Sequence, residues 1–120
     1  MPKVLIADDM AAISLLFSNF LKENGFDVLG AATSSENAIR MYEEKKPDIL
    51  VLDLFGMNSY SGKHRREINS FDVISELCSK HKAKIIVVTA SFRDEHIKKA
   101  ISLGAMDYFV KGQPLSEFLE

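Results

Sequence analysis

Asp48-Ile49-Leu50-Val51-Leu52-Asp53 decides the fold: a run of branched aliphatic residues, apolar at successive positions, that stops on an acid. A surface helix would turn polar every three or four residues and a half-exposed strand every second one. A short unbroken run is therefore a strand covered on both faces, as in a parallel sheet. Val4-Leu5-Ile6-Ala7 and Lys84-Ile85-Ile86-Val87-Val88 have the same character, and weaker strands are predicted near Asp27-Val28-Leu29 and Met106-Asp107-Tyr108-Phe109-Val110.

Amphipathic stretches lie between these runs. Ile13, Leu16, Phe17, Phe20 and Leu21 form an apolar helical face that ends at Asn24-Gly25. Thr33-Ser34-Ser35-Glu36 has the form of a capping box ahead of Ala38, Ile39 and Tyr42, and that helix must end before Pro47. Ser70 is placed to cap a third helix carrying Phe71, Ile74, Leu77 and Cys78. Asp94-Glu95 opens a fourth with Ile97, Ala100, Ile101 and Leu103, stopping at Gly104, and Pro114 starts a short fifth. Five strands alternating with five helices fold as an α/β, doubly wound, five-stranded parallel sheet with helices on both faces.

The 120 residues, 47% hydrophobic and 27% charged, suffice for one core, so a single domain over residues 1–120 is expected. The balance of 15 Lys and Arg against 17 Asp and Glu argues against direct nucleic-acid binding or an anionic membrane surface. No run approaches the roughly 18 apolar residues of a membrane span, and Met1-Pro2-Lys3 does not lead into a signal peptide, so a cytoplasmic protein is expected. The lone Cys78 reads as packing, and His64, His81 and His96 have no zinc-site spacing and read as surface residues, His96 in a solvated helical turn.

In a doubly wound sheet, sites form beyond the carboxyl ends of the strands. The first strand ends in Asp8-Asp9 and the third in Asp53, so three carboxylates should meet at one edge. Crowded acids repel unless they share a cation, and a hard oxygen-ligating ion such as Mg²⁺ suits them. The fourth strand ends in Thr89 and the fifth in Lys111, which add a hydroxyl and an ammonium to that rim. Together they make a phosphoryl site in which Asp53 attacks an activated phosphoryl group while Lys111 and Thr89 hold its oxygens.

Asp8-Asp9, Asp53, Thr89-Ala90, Tyr108 and Lys111, in this order, resemble the receiver domain of two-component response regulators, in a form similar to the chemotaxis regulators, and the match covers nearly the whole chain. The resemblance implies a flavodoxin-like sheet of order 2-1-3-4-5. It implies that Asp53 is phosphorylated from the phosphohistidine of a sensor histidine kinase or a phosphotransfer protein. Asp9 would ligate Mg²⁺ directly and Asp8 mainly through water, with Asp53 and the backbone carbonyl of Phe55 completing the protein ligands. Thr89 would be the switch hydroxyl, Tyr108 the aromatic that changes rotamer with it, and Lys111 the cation on the phosphate. Such a domain is no enzyme beyond promoting its own phosphorylation and dephosphorylation, and it acts on a downstream protein by changing a binding surface around helix four, Tyr108 and helix five.

Three departures from the family pattern stand out. The connection from Asp53 to Ser70 is longer by about six residues and has a basic tip, Lys63-His64-Arg65-Arg66. It reads as a mobile solvated insert, or as a docking segment or lid that selects the kinase through an acidic surface. Lys111 is followed by Gly112 where the family has proline, so a trans bond is expected there. Only six residues follow Pro114, about two helical turns, which fits either a trimmed chain or a compact stand-alone regulator. Phe55, bulky and two residues beyond Asp53, is expected to shield an acyl phosphate from water.

Other classes fit less well. A flavodoxin-type carrier needs a Gly- and Ser/Thr-rich phosphate cradle where this chain has Asp8-Asp9, and an aspartate-nucleophile phosphatase wants a second acid where Phe55 stands. The serious alternative is a pseudo-receiver, an interaction module that works without phosphorylation.

Overall fold

Alternate residues of each central strand point to opposite sides of one sheet, and each side carries its own core. The computed structural model describes residues 2–90 and 94–111. Strands β1 (Lys3–Ala7), β2 (Asp27–Ala32), β3 (Ile49–Asp53), β6 (Ile85–Thr89) and β7 (Asp107–Val110) pair in parallel in the order β2-β1-β3-β6-β7. With the inserted hairpin strands β4 (Ser59–Ser61) and β5 (Arg66–Ile68) left out of the count, this is the expected 2-1-3-4-5.

Leu5, Leu50, Leu52, Ile85 and Val87 face helices α2 (Ser35–Lys45) and α3 (Ser70–His81), packing with Ile39, Tyr42, Ile74 and Leu77. Val4, Ile6, Val51, Val88 and Phe109 face α1 (Ala11–Glu23), meeting Phe17 and Leu21. Helix α4 (Asp94–Ser102) contributes Ala100 to the first core. Four helices lie among the described residues; the fifth expected from Pro114 and the Lys111–Gly112 bond lie outside them.

The apolar face of α1 differs from its expected membership. Ser14, Phe17 and Leu21 are buried while Leu15 and Leu16 are exposed, because the stripe against the sheet follows a three-and-four spacing from Ser14, with Ile13 and Phe20 half-buried at its margins. Two caps also move by a residue. Ser34 caps α2, accepting from the Asn37 N–H at 3.2 Å. Asn69, not Ser70, caps α3 in a reciprocal capping box with Asp72.

The long connection after Asp53 carries regular structure. Its middle forms an antiparallel hairpin of β4 (Ser59–Ser61) and β5 (Arg66–Ile68). Ser61 and Ile68 are buried, and the turn closes with the Arg65 N–H on the Ser61 carbonyl at 2.8 Å and the His64 N–H on Ser61 Oγ at 3.2 Å, Arg65 taking a φ of 55°. Three-residue strands are too short to show a period in the sequence. What orders them is tertiary: the fully buried Met57 and Ile68 join the core, Ser35 donates both its N–H and its hydroxyl to the Met57 carbonyl, and the Glu36 N–H donates to Ser59 Oγ.

Candidate functional site

Parallel pairing brings the carboxyl ends of β1, β3, β6 and β7 to one edge, and the chain places Asp8-Asp9, Asp53, Thr89 and Lys111 there. One carboxylate oxygen from each of Asp8, Asp9 and Asp53 lies within 4.8 Å of the others. Lys111 Nζ stands 3.4 Å from Asp8 Oδ2 and 3.4 Å from Asp53 Oδ1. Asp8 and Asp53 are buried and Asp9 is exposed, so the pocket opens on the Asp9 side.

Backbone hydrogen bonds fix each carrier. The Asp8 N–H donates to Ala32, the Met10 N–H returns to Asp8 Oδ1 at 2.9 Å, and the Leu54 N–H donates to the Val88 carbonyl. The Lys111 N–H donates to the Thr89 carbonyl at 2.7 Å, tying the hydroxyl-bearing strand end to the ammonium-bearing one. Gly56, with φ at 82°, lets the loop after Asp53 lie against Asp9: a Cβ there would come within 2.7–2.9 Å of the Asp9 carboxylate.

Burial, with the neighbouring Asp8 second, pushes Asp53 up to about 7 against the opposing pull of Lys111 and of the Phe55 backbone N–H. Three carboxylates facing one ammonium are short of positive charge. Their donors are all hard oxygens, and Gly56 leaves room beside Asp9, so the residues present fit a small divalent cation such as Mg²⁺.

The family model described as "response regulator receiver domain" matches residues 4–120. The chain belongs to that family. The receiver domain is 34% identical over 110 residues to the chemotaxis protein CheY of Thermotoga maritima, covering 91% of this chain and 84% of that one. It is 32% identical over 117 residues to the transcriptional regulatory protein PdtaR of Mycobacterium tuberculosis, covering 98% of this chain but only 53% of PdtaR, so it spans about half the length of that relative. The BeF3-activated N-terminal receiver domain of Klebsiella pneumoniae RstA has the same fold, with a TM-score of 0.83 at 20% identity, over 98% of this chain and 92% of that one.

Asp8, Asp9, Asp53 and Lys111 of this receiver domain thus converge as the sequence suggested. Thr89 is fully buried at the end of β6. Tyr108, 47% exposed on β7, pairs with Val87 and so shares a sheet face with Thr89, but it is not in the acid cluster. Three supporting residues escaped the sequence reading. Gly56 was legible as a glycine beside a bulky Phe55. Ser70 Oγ donates to the Asp53 backbone carbonyl at 2.6 Å, which holds α3 to the end of β3, and nothing in the sequence separates that role from capping. His96 is half-buried rather than fully solvated: its ring lies against Phe55, 4.9 Å between centroids.

Three residues of the hairpin's basic tip pair with acids of α3. Lys63 Nζ and His64 Nε2 pair with Glu76, and Arg66 grips both oxygens of Asp72 at 3.1 and 3.3 Å. Burial raises Glu76, but His64, Lys63 and Lys80 outweigh it and hold the carboxyl below its usual range. The hydrogen bond from Arg66 is the main cause that does the same for Asp72. Lys63, His64 and Arg66 therefore tie the hairpin to α3, while the Lys63 and Arg66 side chains remain more than half exposed.

Proposed function

We propose that this receiver domain is a phospho-accepting switch: Asp53 takes a phosphoryl group from the phosphohistidine of a sensor histidine kinase or phosphotransfer protein, and the domain then alters the surface it offers a downstream protein. The carrying observation is the convergence of Asp8, Asp9 and Asp53 within 4.8 Å, with Lys111 at 3.4 Å from two of them.

In the transfer an Asp53 carboxylate oxygen bonds to phosphorus as the P–N bond to the donor imidazole breaks, and the imidazole takes up a proton. Asp53 must be ionised to attack, so its raised proton affinity has to be overcome. Bound Mg²⁺, held by Asp8, Asp9, Asp53 and the Phe55 carbonyl, would supply charge neutralisation for the approach of two anions. Lys111 turns its ammonium from the carboxylates to the phosphoryl oxygens, and Thr89 donates its hydroxyl to another. The phosphoryl group adds nearly two negative charges, so both contacts strengthen only after transfer and bias a pre-existing equilibrium. Tyr108, on the Thr89 face of the sheet, carries that bias to the surface near α4. Phe55 keeps water from the acyl phosphate.

In this reading residues 1–120 form one regulatory unit in the cytoplasm that touches proteins rather than nucleic acid or membrane; no helix among the described residues is long and apolar enough to cross a membrane. Intact mass after incubation with Mg²⁺ and acetyl phosphate tests it. One added phosphoryl group is expected, lost in Asp53→Asn and with a chelator. A folded protein that binds Mg²⁺ but gains no mass would instead be a phosphorylation-independent interaction module.

A further inference from the structure

Phe55 joins the acid pocket to helix α4. It lies two residues beyond Asp53, and its backbone N–H favours the ionised Asp53 carboxylate. Its ring, 42% exposed, meets the His96 ring edge-on, 4.9 Å between centroids with the planes at 71°. It also meets Phe71, in the first turn of α3, at 6.4 Å and 79°. Lys99 Nζ lies 4.4 Å from the centre of the Phe71 ring. His96 and Lys99 are three residues apart, so a single face of α4 supplies both contacts. The four side chains connect the loop after Asp53 to α4 and α4 to α3.

His96 is an unusual residue to use here. Its Nδ1 is buried without a hydrogen-bond partner, although a buried polar atom is nearly always paired. A histidine held by polar bonds would satisfy that nitrogen. Among the described residues this ring packs edge-on against the ring of Phe55, the residue two positions beyond Asp53.

We propose that His96 is a positioning residue for the phosphoacceptor: it holds the Phe55 ring beside the Asp53 pocket, and through that contact the placement of α4 sets how fast the acyl phosphate is lost to water. The inference rests on the phosphorylation of Asp53 argued above. In the reaction it controls, a water oxygen bonds to phosphorus and the Asp53 Oδ–P bond breaks, leaving the carboxylate and inorganic phosphate. With the ring held in place, water is kept from that phosphorus; with α4 displaced, the ring is free to swing and water enters. A protein seated on α4 would thus change the lifetime of the signal it reads, and by linkage the phosphoryl group would change that protein's affinity.

The test follows phosphoryl loss by intact mass in the parent chain, His96→Ala, His96→Phe, Phe55→Ala and the Phe55→Ala/His96→Ala double variant, each loaded with acetyl phosphate and Mg²⁺ and then freed of donor. His96→Ala should shorten the half-life about two- to tenfold, the range one edge-to-face ring pair supports. His96→Phe, which keeps the ring edge, should restore most of it. In the Phe55→Ala background, His96→Ala should change nothing further, a result that general loosening of the fold would not produce. Equal half-lives in the parent and His96→Ala, or the same acceleration in both backgrounds, would overturn the inference alone. No adduct on the parent would overturn the phosphorylation reading, and this inference with it. The chain has no tryptophan, so Phe55→Trp supplies a single indole whose emission should shift when His96 becomes Ala, before any phosphorylation. Unchanged emission would refute the contact itself.

Discussion

Lys111 Nζ lies 3.4 Å from Asp53 Oδ1, a contact that joins the end of β7 to the end of β3 across the intervening β6. The same ammonium reaches Asp8, so one positive charge serves two buried carboxylates. That arrangement leaves the pocket under-neutralised, and burial and Asp8 keep Asp53 near 7 even with Lys111 beside it. A second cation at these carboxylates would relieve the same deficit that makes Asp53 hold its proton.

The metal-free protein should lose stability as pH rises. Folded Asp53 titrates at about 7 against an ordinary value of 3.8, so between these the native state binds a proton that the unfolded chain releases. The sign follows: this contribution is fully present below 3.8 and is lost as pH rises through about 7. Urea unfolding in chelator should show a fall of roughly 2–4 kcal/mol from pH 4 to pH 8 that Asp53→Asn abolishes. An equal fall in the variant would assign it to other groups.

Mg²⁺ should bind with an affinity that rises about tenfold per pH unit up to about 7 and then levels, because below that value the ion competes with the Asp53 proton. Titration calorimetry at pH 5.5, 6.5 and 8 measures it. A profile flat from 5.5 to 8 would remove Asp53 from the ligand set.

Gly56→Ala should impair Mg²⁺ binding and phosphorylation together. Its methyl would fall within 2.7–2.9 Å of the Asp9 carboxylate at a φ of 82° that L residues resist, so either Asp9 or the loop must move. A stability loss of about 1–2 kcal/mol accompanies such strain. Retention of full Mg²⁺ affinity would show that Asp9 relaxes freely.

Ile68→Ala tests whether the hairpin is part of the folded core. Ile68 is fully buried among core residues, and its truncation should cost about 2–4 kcal/mol in chemical unfolding. A loss below about 0.5 kcal/mol would mean the hairpin opens independently of the domain.

Thr89→Ala should still accept a phosphoryl group on Asp53 but lose most of the phosphorylation-dependent change in partner binding, since Thr89 is fully buried at the strand end and, in the proposed switch, meets the phosphoryl oxygens only after transfer. Binding measured with and without acetyl phosphate decides it. A full response in the variant would break the proposed coupling.

The five parallel strands and the acids at their ends were legible in the sequence for a local reason: buried parallel strands write themselves as unbroken apolar runs, and the residue after each run is delivered to the sheet edge by the geometry of the strand alone. Asp8, Asp9, Asp53, Thr89 and Lys111 needed only that. The α1 face was legible in period but not in phase, because Leu16 and Ser14 differ in burial through the sheet they meet, not through their own hydrophobicity.

Contacts between elements distant in sequence had no such signature. Nothing in Ser59–Ile68 foretells a hairpin, since its order comes from Ser35 gripping Met57, Glu36 meeting Ser59 and Glu76 collecting Lys63 and His64. His96 looked like a solvated turn until α4 was laid beside Phe55. The sequence by itself determined the sheet, its strand ends and the chemistry gathered there, because these follow from side-chain period and strand direction. Only the tertiary structure decided which charges were already neutralised and which rings brace the pocket, because those depend on distances between helices and loops that no local pattern encodes.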